Sequence, residues 1–282
     1  MSELWSRLGF LAIALVVYRI GTHIPIPGIN PEQVAALFQQ SQGTILQYFN
    51  LFSGGALERM SIFALSVVPY ISSAIVMQLF SNSVPYLQEL KKDGQAGRNK
   101  ITQYTRYGTV IFALIQSSAL TVTLQTAGLI DAGSIFSAFV AVISIVTGTM
   151  FLMWLGEQIS ERGIGNGISI IIATSIITGV PRAFGQALEQ TQQGDLNYLL
   201  LIVLAVLTLI VVAFVVFVEN AQRKITVNYA QRNQVRGMIQ APSSFLPLKL
   251  NMSGVIPAIF ASTFLLFPAS LSSWFGNIDG LS

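Results

Sequence analysis

Apolar residues along this chain fall into long blocks of membrane-spanning length, set apart by shorter polar stretches. Leu8–Ile20 is apolar behind Arg7 and runs, with no small-residue cleavage site, into HIPIPGINPE. This predicts a retained first spanning helix whose exit is Pro25, Pro27 and Gly28. Asn30-Pro31-Glu32 is a helix-start signature, and the periodic stretch Val34–Phe38 predicts a short surface helix. Further spans are expected over Ser61–Phe80, Tyr107–Gln125, Ile135–Leu155, Ile168–Val180, Tyr198–Val218 and Ser253–Trp274, with Pro181 ending the fifth. The fold class is therefore all-α, a polytopic membrane protein with seven transmembrane helices.

One block departs from the pattern. Between Tyr48 and Gln78 the paired Gly54 and Gly55 favour a turn and Glu58 and Arg59 place two charges together. The apolar run that follows is then interrupted by Ser66, Pro69, Ser72, Ser73 and Gln78. Such groups at membrane depth are tolerated against protein or a water-filled cavity, so this block belongs inside the bundle. Val67 and Ile71 lie one turn apart on one face, with Pro69 between them permitting a kink; periodicity alone reads them as ordinary packing. Ser72, Ser73, Ser117, Ser118, Ser262 and Thr263 allow close, weakly polar helix contacts, and Gln78 and Gln116 add amides able to bridge spans.

Composition agrees: of 282 residues 52% are hydrophobic and 10% charged, with a mean hydropathy of +0.64. Cysteine is absent and His23 is the single histidine, which disfavours disulfides, thiol chemistry, Cys/His metal sites and histidine acid–base catalysis together. The net charge of +3 matters less than its placement. Arg7, the basic Tyr86–Arg106 segment read as a solvated loop, Arg162, and the residues Arg223, Lys224, Arg232, Arg236 and Lys249 all share one side. By the positive-inside rule that side, with the N-terminus, is cytoplasmic; only Arg19, Arg59 and Arg182 fall elsewhere. In the loop from Glu219 to Gly237, alternation in ITVNY favours a hairpin exposing Arg223, Lys224, Arg232 and Arg236, suited to an acidic partner or RNA phosphate. GIGNGIS after Arg162 lacks the preceding strand of a dinucleotide fingerprint and reads as a tight turn opening the fifth helix. No span holds an acidic residue at its middle, which counts against the alternative of an ion-coupled secondary transporter for a small solute; a third reading is a non-conducting scaffold anchoring ribosomes.

The motifs RIGTHIPIPGI (Arg19–Ile29), FNLFSGGALERMSIFALSVVPYISS (Phe49–Ser73), GRNKITQYTRYGT (Gly97–Thr109), TGTMFLMWLGEQISERGIGNGISIII (Thr147–Ile172), VFVENAQRKITVNYA (Val216–Ala230) and LPLKLNMSGVIPAIFAS (Leu246–Ser262) cover the chain from end to end. With them the chain resembles the SecY/Sec61 family of protein-conducting channel subunits. The resemblance implies a plug, a short half-helix over Phe52, Ser53, Gly54, Gly55, Ala56, Leu57, Glu58, Arg59, Met60, Ser61 and Ile62. It implies a hydrophobic pore ring that includes Val67, Ile71, Ile172 and Ile259, and a lateral gate with spans two and three as one wall and span seven in the other. Ser72, Ser73, Gln78, Gln116, Ser262 and Thr263 are the gate candidates. The basic residues Lys91, Lys92, Arg98, Lys100, Arg223, Lys224, Arg232 and Arg236 are expected to dock the ribosome and the SecA ATPase. The small SecE and SecG subunits, signal sequences, nascent polypeptides and membrane lipid are the remaining implied partners. No cofactor, metal or catalytic residue is implied, since such a channel performs no chemistry. The expected site is the bacterial inner membrane. Members of the family have ten spans in two halves of five. Residues 1–187 then hold spans one to five, and 188–282 an incomplete second half of spans six and seven with the basic loop 219–250, spans eight to ten being absent. Valine at position 67, where isoleucine is common, preserves an aliphatic branched side chain.

Overall fold

A computed structural model of the chain describes residues 2–29, 34, 50, 53–126, 128–129, 135–192, 197–227 and 244–251. Five helices among them are long and apolar enough to cross a bilayer: α1 (Ser2–Gly21), α4 (Gly94–Thr126), α5 (Ile135–Arg162), α6 (Gly167–Gln192) and α7 (Tyr198–Asn220). Between α1 and α4 lie α2 (Val68–Ser83) and α3 (Pro85–Lys92). The expected seventh span, Ser253–Trp274, lies outside the described residues, as do Phe52, Arg232, Arg236, Ile259, Ser262 and Thr263.

The described residues form two compact units that part between Phe184 and Gly185. In the first, α2 packs chiefly on α4, and α4 in turn on α5, which also meets α1. Leu124 near the end of α4 shares a core with Ala141 and Ile145 near the start of α5, whereas Arg106 and Glu157 meet at the opposite ends, so these two helices run antiparallel. In the second unit α7 opens on Asn197, whose carbonyl side chain accepts from the Leu199 N–H at 3.4 Å. None of its side chains is buried although nearly all are apolar, a state that only lipid or a further protein surface relieves.

Several expectations are corrected. The second span does not begin at Ser61: residues 53–67 are successive turns and the helix starts at Val68, 16 residues long. Pro69 therefore sits in the first helical turn, where a missing N–H costs nothing, and starts the helix instead of kinking it. The plug segment is likewise not a half-helix. Its bonds mix three-, four- and five-residue spacings (Ala56 to Ser53, Arg59 to Gly55, Gly55 to Asn50), and Gly54 and Gly55 adopt φ of 66° and 81°, which no right-handed helix accommodates. The Tyr86–Arg106 segment is not a loop. Apart from a break at Asp93–Gly94 it is helical in α3 and the first turns of α4, because it is rich in Leu, Gln, Lys and Arg, and Gly94 at φ 69° supplies the only turn needed. The fifth span does not end at Pro181; α6 continues through it to Gln192, since the residues beyond are good helix formers and one lost backbone bond is offset by them. Val34, expected on a surface helix, is helical but buried in a core with Ile26, Ile29, Leu57 and Met60. The basic hairpin exists with a different second strand. Here β1 (Gln222–Val227) pairs antiparallel with β2 (Ser244–Lys249), Arg223 opposite Leu248 and Lys224 opposite Pro247.

The GIGNGIS segment is the tight turn expected. Gly165 has φ 74°, Asn166 Oδ1 accepts from the N–H groups of Ile168 and Ser169 at 3.1 and 3.4 Å, and Ser160 Oγ accepts from Gly167 N at 2.8 Å. A side chain at Gly167 would strike the Gly156 carbonyl of α5, so this glycine serves helix approach, while Gly163 N donates to Ile159 O at 2.8 Å and closes the last turn of α5.

Candidate functional site

Just beyond α1 the chain pairs with a later segment: Ile26 N donates to Met60 O at 2.8 Å and Ile62 N to Ile24 O at 3.0 Å. This bridge carries residues 60–67 through the middle of the first unit. Two non-glycine residues on it, Met60 (φ 43°) and Ser66 (φ 51°), are left-handed, a conformation costing roughly 1–2 kcal/mol each and therefore held by their surroundings. Those surroundings are apolar. Phe63 is 2% exposed and stacks between Tyr18 and Phe151 with ring centroids 6.2 and 5.9 Å away and planes within 3° and 7°; Phe151 in turn meets Trp154 at 5.7 Å.

At the end of this segment Val67, 2% exposed, joins a cluster with Ala14, Tyr18, Ala56, Phe63, Leu152 and Ile171, and the half-buried Ile71 and Ile172 pack against it. Ile71 N donates to Val67 O at 3.1 Å, which fixes the one-turn separation of the two side chains. Three of the four expected ring residues thus lie in or against one apolar cluster, to which α1, α2, α5 and α6 all contribute.

The Ser53–Met60 turn lies on that cluster through Ala56. Its shape is set by Asn50, whose Oδ1 accepts from Glu58 N at 3.0 Å while its Nδ2 donates to Glu58 Oε2 at 3.1 Å, and by Ser53 Oγ, which accepts from Leu57 N at 3.2 Å. Arg59 Nη1 donates to His23 Nε2 at 3.0 Å. The Gly54 backbone presses on α6, where an added Cβ would lie 3.1 Å from Ser175 Cα and 3.2 Å from Ser175 O. Tyr18 Oη touches both Ser175 Oγ and Ser53 O.

Of the expected gate residues, Ser73 Oγ donates to Thr105 O at 2.7 Å and faces Gly108, joining α2 to α4; Ser72 is buried with its hydroxyl unpartnered, Gln116 is half-buried and Gln78 exposed. Lys91, Lys92, Arg98 and Lys100 are exposed, as are Arg223 and Lys224 on β1. Lys91 and Lys92 line an open depression with Ser81, Asn82 and Gln88, and Lys91 Nζ donates to Asn82 Oδ1 at 3.2 Å.

Residues that pattern reading did not single out hold this arrangement together. Tyr18 and Ser175 are hydroxyls at full burial, visible in the sequence only as polar atoms inside apolar runs. Arg106 is another: its Nε and Nη2 donate to the two Glu157 oxygens at 2.9 and 2.8 Å, with the Glu157 side chain 18% exposed. Arg106→Ala is expected to lower stability by about 1–2 kcal/mol, because it strands a mostly buried carboxylate. The charge-swapped pair Arg106→Glu/Glu157→Arg should recover most of it, as read by thermal melting of the detergent-purified complex.

The SecY family model matches residues 61–281. The protein translocase subunit SecY of Pseudomonas aeruginosa is 58% identical over 281 residues, covering 100% of this chain and 64% of that relative. The chain therefore spans 64% of the length of the curated relative it matches. Among solved structures, one of a SecY protein, described by its plug domain that stabilises the closed state of the translocation channel and maintains a membrane seal, matches with a TM-score of 0.68 at 20% identity over 95% of this chain and 58% of that one. Sec61 in a canine ribosome–channel complex from the endoplasmic reticulum matches with a TM-score of 0.66 at 19% identity, again over 95% and 58%. These structural likenesses are of fold.

Proposed function

The chain belongs to the SecY family, and from that membership we propose that it is part of the pore subunit of a bacterial inner-membrane protein translocase, passing secretory polypeptides across the membrane and membrane proteins sideways into lipid. The observation that carries the proposal is the aliphatic cluster of Val67, Ile71 and Ile172 with the Ser53–Met60 turn laid on it. A ring of branched apolar side chains excludes ions because a narrow hydrophobic constriction dewets, yet it closes around an extended chain of any sequence. Ser53–Met60 acts as the plug, and the two glycines give it the turn on which it folds back.

In this reading α2 and α4, joined through Ser73 and Gly108, move as one wall of the lateral gate. The family resemblance assigns Ser262 and Thr263 to the gate's other wall and Ile259 to the ring. Hydrophobic signal segments leave through the gate because transfer from a wet pore to lipid is favourable for them and not for polar chain. Lys91, Lys92, Arg98 and Lys100 in the first unit, and separately the basic segment of Arg223, Lys224, Arg232 and Arg236, serve as docking residues for the ribosome and SecA. SecE and SecG complete the complex. The subunit performs no chemistry, so the driving energy comes from those partners. The N-terminus is cytoplasmic, a reading supported by the basic residues at the start of α4 and in β1.

These 282 residues hold no cysteine, so single cysteines at Val67 and Ile172 meet no competing thiol among them. A secretory chain stalled in the full-length complex is expected to crosslink to both positions. An assembled complex that crosslinks at neither would sink the channel reading.

A further inference from the structure

A buried hydroxyl has one proton to donate and must find an acceptor for it. Tyr18 Oη lies 2.5 Å from Ser175 Oγ and 3.4 Å from Ser53 O, and Ser175 Oγ is also 2.9 Å from Ile171 O. A contact as short as that between Tyr18 and Ser175 needs a proton between the two oxygens, and two arrangements supply it while using both protons. In one, Ser175 donates to Tyr18 and Tyr18 to Ser53 O, so that α6, α1 and the Ser53–Met60 turn are tied in series. In the other, Tyr18 donates to Ser175 and Ser175 to Ile171 O, and the turn is not held at all.

We propose that Tyr18 and Ser175 are positioning residues that form a reversible hydroxyl latch on the plug, a role that rests on reading Ser53–Met60 as that plug. The latch engages through the Ser53 carbonyl. When the turn departs, Tyr18 hands its proton to Ser175 and Ser175 hands its own to Ile171 O, so no buried hydroxyl is orphaned. Ser53 O meanwhile finds water. The bond released is long at 3.4 Å and hence weak, while the bond kept is short, so the latch biases the plug toward closure without locking it. The seat on which the turn rests is independent of these protons, because Gly54 meets the Ser175 backbone and not its hydroxyl.

The two hydroxyls then have opposite effects. Tyr18→Phe keeps the ring stacked on Phe63 but removes the hold on Ser53 O, favouring the open plug. Ser175→Ala leaves Ser53 O as the Tyr18 acceptor, so opening would orphan the phenol, favouring the closed plug. In the full-length complex reconstituted in planar bilayers, conductance opened by a synthetic hydrophobic signal peptide measures this balance. Tyr18→Phe is expected to lower the half-maximal peptide concentration roughly fivefold and Ser175→Ala to raise it by roughly the same factor, the double variant following Tyr18→Phe. Shifts in the same direction, or none, would overturn the latch, since loss of packing alone moves both variants one way. Should Tyr18→Phe fail to assemble, Ser175→Ala decides by itself: a raised requirement supports the latch, and an unchanged or lowered one refutes it. The Ile71→Ser/Ile172→Ser variant is the control for the channel reading; if it too conducts no more than the parent, that reading falls, and if it leaks while the latch variants stay flat, only the latch does.

Discussion

Serine at both Ile71 and Ile172 is expected to raise the resting ion conductance of the assembled complex at least tenfold. The two side chains come from different helices and both pack against the apolar cluster that holds Val67, the expected constriction. An aliphatic constriction excludes ions by failing to hold a continuous water column; hydroxyls in its place hydrogen-bond that water and remove the barrier. Both residues are only half-buried, so each substitution removes less packing than it would at Val67, which is 2% exposed. The measurement is single-channel recording without any substrate, beside a thermal melt to confirm assembly. A complex that melts like the parent and conducts no more than the parent would count against the seal.

Gly148→Leu is expected to cost more stability than any other glycine substitution in α5. A Cβ at this position falls on the carbonyl of Ile62, and Ile62 cannot retreat: its N–H is bonded to Ile24 O at 3.0 Å and its neighbour Phe63 is stacked between two rings. Backbone overlap of this kind is relieved only by moving α5 away from the Pro25–Ser61 bridge, which opens the cluster beneath Val67. A loss of about 3 kcal/mol or more follows, read as a melting temperature lower by roughly 6–12 °C or as failure to recover folded complex. Gly9→Ala in α1, where nothing lies within 4 Å of the new methyl, should instead be neutral or stabilising by about 0.5–1 kcal/mol. Equal melting of the two variants would show that the contact at Gly148 carries no strain.

Five membrane-length helices among the described residues were legible because a bilayer imposes a length and an apolar composition that few other environments do. Tyr198–Val218 was read almost to the residue, since α7 is apolar all round and begins at a capping asparagine. Boundaries were misread where local signals are ambiguous. Pro181 marks a helix end in most contexts and lies inside α6 here; Pro69 read as a kink and is a start. The charged Tyr86–Arg106 segment reads as loop by its charge, yet an exposed helix carries lysine and arginine comfortably. The basic hairpin found its first strand in ITV and missed its second, because pairing across a long connection leaves no local mark on Ser244–Lys249.

What the residues determined unaided was the class of the molecule: apolar blocks of membrane-spanning length, basic residues gathered between them, no cysteine, and one block more polar than the rest. Its motifs named Val67, Ile71 and Ile172, while periodicity alone left Val67 and Ile71 as ordinary packing. Only the tertiary structure brought those three into one cluster, set the Ser53–Met60 turn over it, and placed the Tyr18 hydroxyl between Ser53 and Ser175. The division has a physical cause. Partition into a membrane depends on a segment's own composition and is written locally, whereas a hydrogen bond between residues 157 positions apart exists only once the chain has closed around it.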